Sequence, residues 1–179
     1  MTPIIRYEIL DHLPTYGPMY SPVTSTGEQY YSEGFAIRFF KSDGNNWVAN
    51  FKPGWTELRT VIELSNTANL LIIANGTCYL MDPDQTNPVE AFGVGYSAIF
   101  KAGTERYVLQ DQSNLTIIES DGHHWNTERI SWDGLKDLIV AENIIKGLSF
   151  DPIKYPGEWV SFSYDLNSKL LTGGSYKGG

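Results

Sequence analysis

The sequence feature that most constrains the fold is a short run that occurs twice. Residues 42–47 read Ser-Asp-Gly-Asn-Asn-Trp, and residues 120–125 read Ser-Asp-Gly-His-His-Trp. Asp-Gly pairs are typical of tight hairpin turns, because glycine adopts positive φ and the aspartate side chain bonds the local backbone. An apolar run precedes each copy. The repeat therefore predicts two related halves, each containing a hairpin at this point.

Further landmarks follow both copies in the same order. A second tryptophan comes next, Trp55 in the first half and Trp132 in the second, and later an Asp-Pro step at residues 82–83 and 151–152. Proline cannot donate to a strand ladder, so these steps are interpreted as strand ends rather than as calcium loops. The interval from the second tryptophan to the Asp-Pro step is longer in the first half than in the second, which predicts an insertion near residues 59–68.

The rest of the pattern predicts an all-β, mainly antiparallel fold. From residue 34 onward, apolar and polar residues alternate in short runs bounded by Gly, Asn, Asp and Pro. The clearest runs are residues 35–40, 47–51, 115–118 and 159–164. Each half offers about four strands, enough for a β-sandwich, a closed barrel or a blade-like pair of sheets. Residues 56–64 and 132–146 also allow a helix, although β-branched residues in the latter favour strands.

The length favours a single domain over residues 1–179, because 179 residues lie within the usual size of one domain. Residues 1–33 are rich in Pro and Tyr and predict an irregular lead segment packed over the domain. The two halves then span residues 34–100 and 101–179. Cys78 lies in an apolar run, which predicts an inert thiol in the core.

The net charge of the chain limits the kinds of partner that it is expected to bind. The 13 Lys and Arg stand against 21 Asp and Glu, giving a net charge of −8, which opposes attraction to nucleic acid and to anionic lipid. We therefore expect neither a nucleic-acid nor a membrane partner, and favour a basic protein. No secretion signal opens the chain, and no apolar run approaches the length of about 18 residues that a membrane span needs. We expect a soluble, cytoplasmic protein, and leave its oligomeric state open.

Three runs carry a resemblance to known proteins. Residues 47–51, 129–135 and 171–176 read Trp-Val-Ala-Asn-Phe, Arg-Ile-Ser-Trp-Asp-Gly-Leu and Leu-Thr-Gly-Gly-Ser-Tyr. In these runs the chain, from about residue 34 onward, resembles small uncharacterised bacterial proteins of β-rich type. The resemblance implies a bacterial, soluble, β-rich protein and no known activity.

The titratable candidates lie in the two repeated turns: Asp43, Asp121, His123 and His124. Adjacent strand side chains point to opposite faces, so the two histidines are poorly placed to chelate one metal ion. In the first turn, two asparagines occupy the positions of these two histidines, and asparagine and histidine both tolerate turn conformations. A turn role is favoured for all four, and no catalytic residue, metal or cofactor is predicted.

The aromatic candidates are Trp159 and Tyr155. Four of the five tryptophans occupy repeated positions and are predicted to pack in the core or on a sheet face, because each buries a large area. Trp159 has no clear counterpart and is the tryptophan predicted to be exposed. With Tyr155 it would offer a surface for a partner's side chains or for sugar rings.

These features favour a non-enzymatic binding protein, since no convergent titratable cluster accompanies the acidic β-rich chain. Its most concrete form is an immunity-type neutraliser of a basic partner protein. Two alternatives remain open. One is a small carbohydrate-binding domain that uses exposed aromatic residues, and the other is an enzyme whose site forms from the paired Asp-Gly turns.

Overall fold

The structure, a computed structural model, describes residues 5–16 and 19–178. The chain divides into two compact units, Met1–Gly95 and Tyr96–Gly179. Every regular element in the described part is a β-strand, and the strands form four four-stranded sheets in which all pairings but one are antiparallel. The predicted all-β, mainly antiparallel class is confirmed, and among the described residues no sheet closes into a barrel.

Two sheets make up the first unit. Sheet I has the spatial order β1-β3-β4-β2 and consists of β1 (Tyr7–Ile9), β2 (Ser21–Val23), β3 (Phe35–Phe40) and β4 (Asn46–Phe51). Sheet II follows sequence order and consists of β5 (Arg59–Glu63), β6 (Leu70–Ala74), β7 (Thr77–Met81) and β8 (Glu90–Phe92). The lead segment thus contributes two short strands to sheet I, of which β2 pairs with β4 in parallel.

The second unit contains two antiparallel meanders. Sheet III consists of β9 (Ala98–Ala102), β10 (Arg106–Gln110), β11 (Leu115–Ile118) and β12 (His124–Asn126). Sheet IV consists of β13 (Leu135–Ala141), β14 (Ile144–Asp151), β15 (Glu158–Asp165) and β16 (Leu170–Gly173). Both stretches that also allowed a helix, residues 56–64 and 132–146, contain strands instead.

The insertion predicted near residues 59–68 depends on the duplication and stays a prediction. Residues 59–63 form β5, the first strand of sheet II. The interval from Trp55 to Asp82 contains the three strands β5, β6 and β7, whereas the interval from Trp132 to Asp151 contains β13 and β14. The Asp-Pro step at residues 82–83 therefore follows the third strand of its sheet, and the step at residues 151–152 ends the second.

The core of the first unit lies between sheets I and II. Alternate residues of the central strands point inward, as the two-residue period of a strand requires, and they are fully buried. Phe51 lies at the centre of an aromatic group, with its ring centroid 6.1 Å from that of Phe39 and 5.1 Å from that of Tyr79. The inward residues are Phe35, Ile37, Phe39, Ala49 and Phe51 from sheet I and Leu70, Ile72, Ala74, Tyr79 and Met81 from sheet II.

The second unit has its own core between sheets III and IV. Its fully or nearly buried members are Val108, Leu115 and Ile117 from sheet III and Leu138, Ile145, Phe162 and Tyr164 from sheet IV. Gly147 leaves room for the Phe162 ring, because a Cβ atom at this glycine would lie only 2.9 Å from that ring. Any larger residue at position 147 would force the aromatic ring away from the core.

Buried serines attach the end of the chain to sheet IV. Ser175 donates its backbone N–H to Ser149 Oγ over 2.8 Å and its hydroxyl to the Phe150 carbonyl over 2.7 Å. Ser131 Oγ donates to the Gly134 carbonyl over 2.7 Å. Among the described residues no buried side-chain nitrogen or oxygen lacks a hydrogen-bond partner, as is normal for a stable interior.

Cys78 lies in β7 and is completely buried. Burial raises the pKa of its thiol far above the usual range, because the thiolate would lose its hydration. The predicted inert core role is confirmed.

The aromatic group of the first unit generates a stability prediction. We expect Phe51→Ala to lower the free energy of unfolding by about 3–5 kcal/mol, because it removes a fully buried ring and leaves a cavity. Urea unfolding followed by circular dichroism measures the change. Tyr155→Ala, at a fully exposed ring, is the control and should stay within about 0.5 kcal/mol of the parent protein. Equal effects of the two substitutions would contradict this core assignment.

Candidate binding surfaces

The first repeated turn joins β3 to β4 and is closed by its own backbone. Lys41 donates its N–H to the Asn45 carbonyl over 2.8 Å, and Gly44 donates to the Lys41 carbonyl over 3.1 Å with a φ of 88°. Asp43 accepts the Asn45 backbone N–H over 2.9 Å and the Asn45 amide over 3.1 Å. These bonds lower the pKa of Asp43, because they stabilise its charged form.

The second repeated turn joins β11 to β12 and has the same backbone hydrogen bonds. Glu119 donates its N–H to the His123 carbonyl over 2.8 Å, and Gly122 donates to the Glu119 carbonyl over 3.0 Å with a φ of 93°. Asp121 accepts the His123 backbone N–H over 2.9 Å. The predicted turn chemistry of both Asp-Gly pairs is confirmed.

The tryptophan after each turn is half-buried and fixed by a hydrogen bond. Trp47 donates its indole N–H to the Pro83 carbonyl over 2.9 Å. Trp125 donates its indole N–H to the Glu119 carboxylate over 2.9 Å, and Arg106 binds the other oxygen of that carboxylate, also over 2.9 Å. Both indoles pack against the core of their unit, in agreement with the packing role predicted for them.

The structure separates the predicted site residues into three places. Asp43 lies in the first unit, whereas Asp121 and His123 lie in the β11–β12 turn of sheet III and His124 begins β12. Tyr155 and Trp159 belong to the hairpin between β14 and β15 in sheet IV. Across residues 5–16 and 19–178, no group of three or more His, Cys, Asp or Glu side chains is placed to hold a metal ion.

The hairpin between β14 and β15 carries an exposed apolar surface, which we call the hairpin patch and define as Ile153, Tyr155 and Trp159. Their exposed fractions are 72%, 100% and 40%. Trp159 pairs across the strands with Phe150, and the two ring centroids lie 5.2 Å apart. The ammonium nitrogen of Lys136 lies 4.0 Å from the centre of the Trp159 ring and makes a cation–π contact.

Trp55, which the sequence assigned to packing, is the most exposed tryptophan, at 83% against 40% for Trp159. The predicted exposure of Trp159 is therefore confirmed, whereas the packing predicted for Trp55 is wrong. Trp55 donates its backbone N–H to the Val94 carbonyl over 2.8 Å, which holds it at a loop. Trp132, its supposed counterpart, instead packs against Tyr176, and the two ring centroids lie 4.7 Å apart. The preceding Pro53-Gly54 pair is a turn signal that could have indicated the exposure of Trp55.

A concave surface lies next to the repeated turn of the first unit, and another lies at the β9–β10 turn of the second unit. The cavity of the first unit measures about 460 Å³ and is lined by Phe40, Pro83 and charged residues. The cavity of the second unit measures about 440 Å³ and is lined mainly by polar groups, among them Arg106, Asn143 and Asn167. None of the predicted site residues lines either cavity.

Comparison with known proteins gave no match, either to a protein-family model or to a curated protein. In the described part of the chain, no helix is long and apolar enough to cross a bilayer. The function of the chain is therefore inferred from the surfaces of its own two units.

The second turn generates a prediction about its polar residues. We expect Asp121→Ala to lower the free energy of unfolding by about 0.5–1.5 kcal/mol, because the His123 N–H loses its acceptor. His123→Asn, which copies the first turn, should leave stability within about 0.5 kcal/mol of the parent protein. Urea unfolding checks both variants. A larger loss from His123→Asn than from Asp121→Ala would contradict the turn role.

A second prediction concerns pH. Hydrogen bonds from the Ser42 hydroxyl and backbone N–H lower the pKa of Asp84, so its charged form stabilises the folded state. That contribution is complete above the unfolded pKa of about 3.9 and is lost as the pH falls through the lower folded value. We expect Asp84→Asn to flatten the fall of the melting temperature below about pH 4. Glu57→Gln, at another exposed carboxylate of the unit, is the charge control, and an equal flattening there would contradict the assignment.

Proposed function

We propose that the chain is a non-enzymatic binding protein that contacts a protein partner through the hairpin patch. The observation that carries this proposal is the exposure of Tyr155, which lies fully in solvent in the same hairpin as the exposed residues Ile153 and Trp159. Tryptophan and tyrosine are enriched among the residues that dominate binding energy at protein interfaces. An exposed ring of this kind contributes to binding rather than to the core.

The patch is held on a rigid base. Strands β14 and β15 pair without interruption from Ile144 opposite Asp165 to Asp151 opposite Glu158. An ion pair between Lys154 and Glu158 joins the two sides of the connecting segment. Because the hairpin is already ordered, less conformational entropy is lost when a partner binds.

The proposed partner is a basic protein. The net charge of −8 attracts cationic proteins over long range and raises their rate of association. The most concrete form of this function is an immunity-type neutraliser that masks a basic partner in the bacterial cytoplasm. In that form, charge brings the two proteins together and the hairpin patch provides the anchor.

We also propose that the two halves arose by duplication of one ancestral unit. The identical backbone hydrogen bonds of the β3–β4 and β11–β12 turns support it, as does the presence of two four-stranded sheets in each unit. The hairpins differ in position, since β3 and β4 are central in sheet I whereas β12 is at an edge of sheet III. In this proposal, a shared ancestral unit later changed its strand order.

The two alternative functions receive less support. A sugar ring needs a free aromatic face, and Lys136 covers one face of Trp159 while Arg129 lies 5.4 Å from the ring centre of Trp132. For an enzyme, Asp43 and Asp121 would have to be available to a substrate, but both bind N–H groups of their own turns. The enzyme alternative therefore uses side chains that are already engaged, and the carbohydrate alternative would depend on the exposed rings of Tyr155 and Trp55.

The test is capture of basic proteins from a bacterial extract on the immobilised chain, followed by calorimetry with the purified partner. We expect the Tyr155→Ala/Trp159→Ala double variant to weaken binding about 30-fold or more, because the loss of even one hot-spot residue costs about 2 kcal/mol or more. Trp55→Ala, which removes an equally large exposed ring from the other unit, is the matched control and should bind as the parent protein does.

Two results would overturn the proposal. One is the absence of any basic protein that binds the purified chain in calorimetry. The other is a partner that the double variant binds as tightly as the parent protein, since the hairpin patch would then lie outside the interface.

A further inference from the structure

The cavity of the first unit combines an apolar floor with charges of both signs. It opens where β3 and β7 end, and its volume of about 460 Å³ lies within the range of small-molecule sites. Phe40, Ala68 and Pro83 supply apolar surface inside it. Pro83 is buried and is held by the Trp47 indole, which donates to its carbonyl over 2.9 Å. The floor is therefore fixed by the core of the unit.

The cationic groups of the cavity come from sheet I. Arg6 directly precedes β1 and Lys41 directly follows β3, and the Phe40 N–H donates to the Arg6 carbonyl over 3.0 Å. This bond places the two cationic residues at the same end of neighbouring strands. Arg6 also donates to the Ala68 carbonyl, which directs its guanidinium across the cavity toward sheet II.

The anionic groups come from sheet II. Asp82 and Asp84 directly follow β7 and line the cavity. Asp84 is fixed by Ser42, which donates its N–H over 2.8 Å and its hydroxyl over 2.7 Å. Lys41 and Arg6 both act electrostatically on the Asp84 carboxylate, so charges of both signs converge on one opening.

We propose that this cavity binds a small zwitterion with an apolar side chain, namely an apolar α-amino acid. The guanidinium of Arg6 and the ammonium of Lys41 match a ligand carboxylate, and the carboxylates of Asp82 and Asp84 match a ligand ammonium. Phe40 and Pro83 provide the contact for the ligand's side chain. A ligand with only one charge would match only one of these two sets of groups.

Calorimetry with phenylalanine and three truncated analogues tests this match. We expect phenylalanine to bind at least tenfold more tightly than 3-phenylpropionate, which lacks the ammonium, and than phenethylamine, which lacks the carboxylate. Glycine, which lacks the side chain, should bind at least tenfold more weakly as well. Equal affinity for all four compounds, or no heat from phenylalanine at millimolar concentration, would overturn the proposal.

Substitutions locate the site. We expect Lys41→Ala to weaken phenylalanine binding at least tenfold, because a charge-assisted bond is lost. Lys101→Ala, at an exposed lysine of the second unit, is the matched control and should bind as the parent protein does. Unchanged binding by Lys41→Ala would overturn the assignment to this cavity. The hairpin patch belongs to the other unit, so the test is independent of partner binding.

Discussion

The rest of the structure depends on the burial of one face of each sheet against a second sheet of the same unit. A four-stranded sheet cannot leave its apolar face in water, and here sheet I covers sheet II around Phe51, while sheet III covers sheet IV around Phe162. Each pairing buries the large inward-facing side chains of both sheets. Apolar residues on the opposite face of sheet II, such as Leu71 and Ile73, are buried as well, so the exposed side chains lie largely in turns, hairpins and edge strands.

The Asp-Gly turns and the hairpin patch use their side chains in opposite ways. In the turns, the side chains of Asp43 and Asp121 are used by the backbone, and the following tryptophans are anchored in their units. In the β14–β15 hairpin, the Tyr155 ring remains fully exposed and Trp159 remains 40% exposed, although the strands below them are fully paired. Polar residues here maintain the fold, and aromatic residues carry the proposed binding.

Much of the fold was predictable because local patterns determine it. The runs at residues 35–40, 47–51, 115–118 and 159–164 fall within β3, β4, β11 and β15, and the Asp-Gly turns have the expected geometry. The position of each strand within a meander was not predictable, since neighbouring strands share one apolar pattern. The exposure of Trp55 and the charged cavity of Arg6, Lys41 and Asp84 depend on contacts between distant parts of the chain, which no local pattern contains.

Amide hydrogen exchange tests most directly the claim that the turns are scaffold and the hairpin tip is an open surface on a rigid sheet. Amides with backbone hydrogen bonds in the core and at the closing pairs of the turns, such as those of Ile117, Lys41 and Glu119, should exchange slowly. The amides of Lys154 and Tyr155 should exchange close to the rate of an unstructured peptide. Slow exchange at the hairpin tip together with rapid exchange at Lys41 and Glu119 would contradict the account.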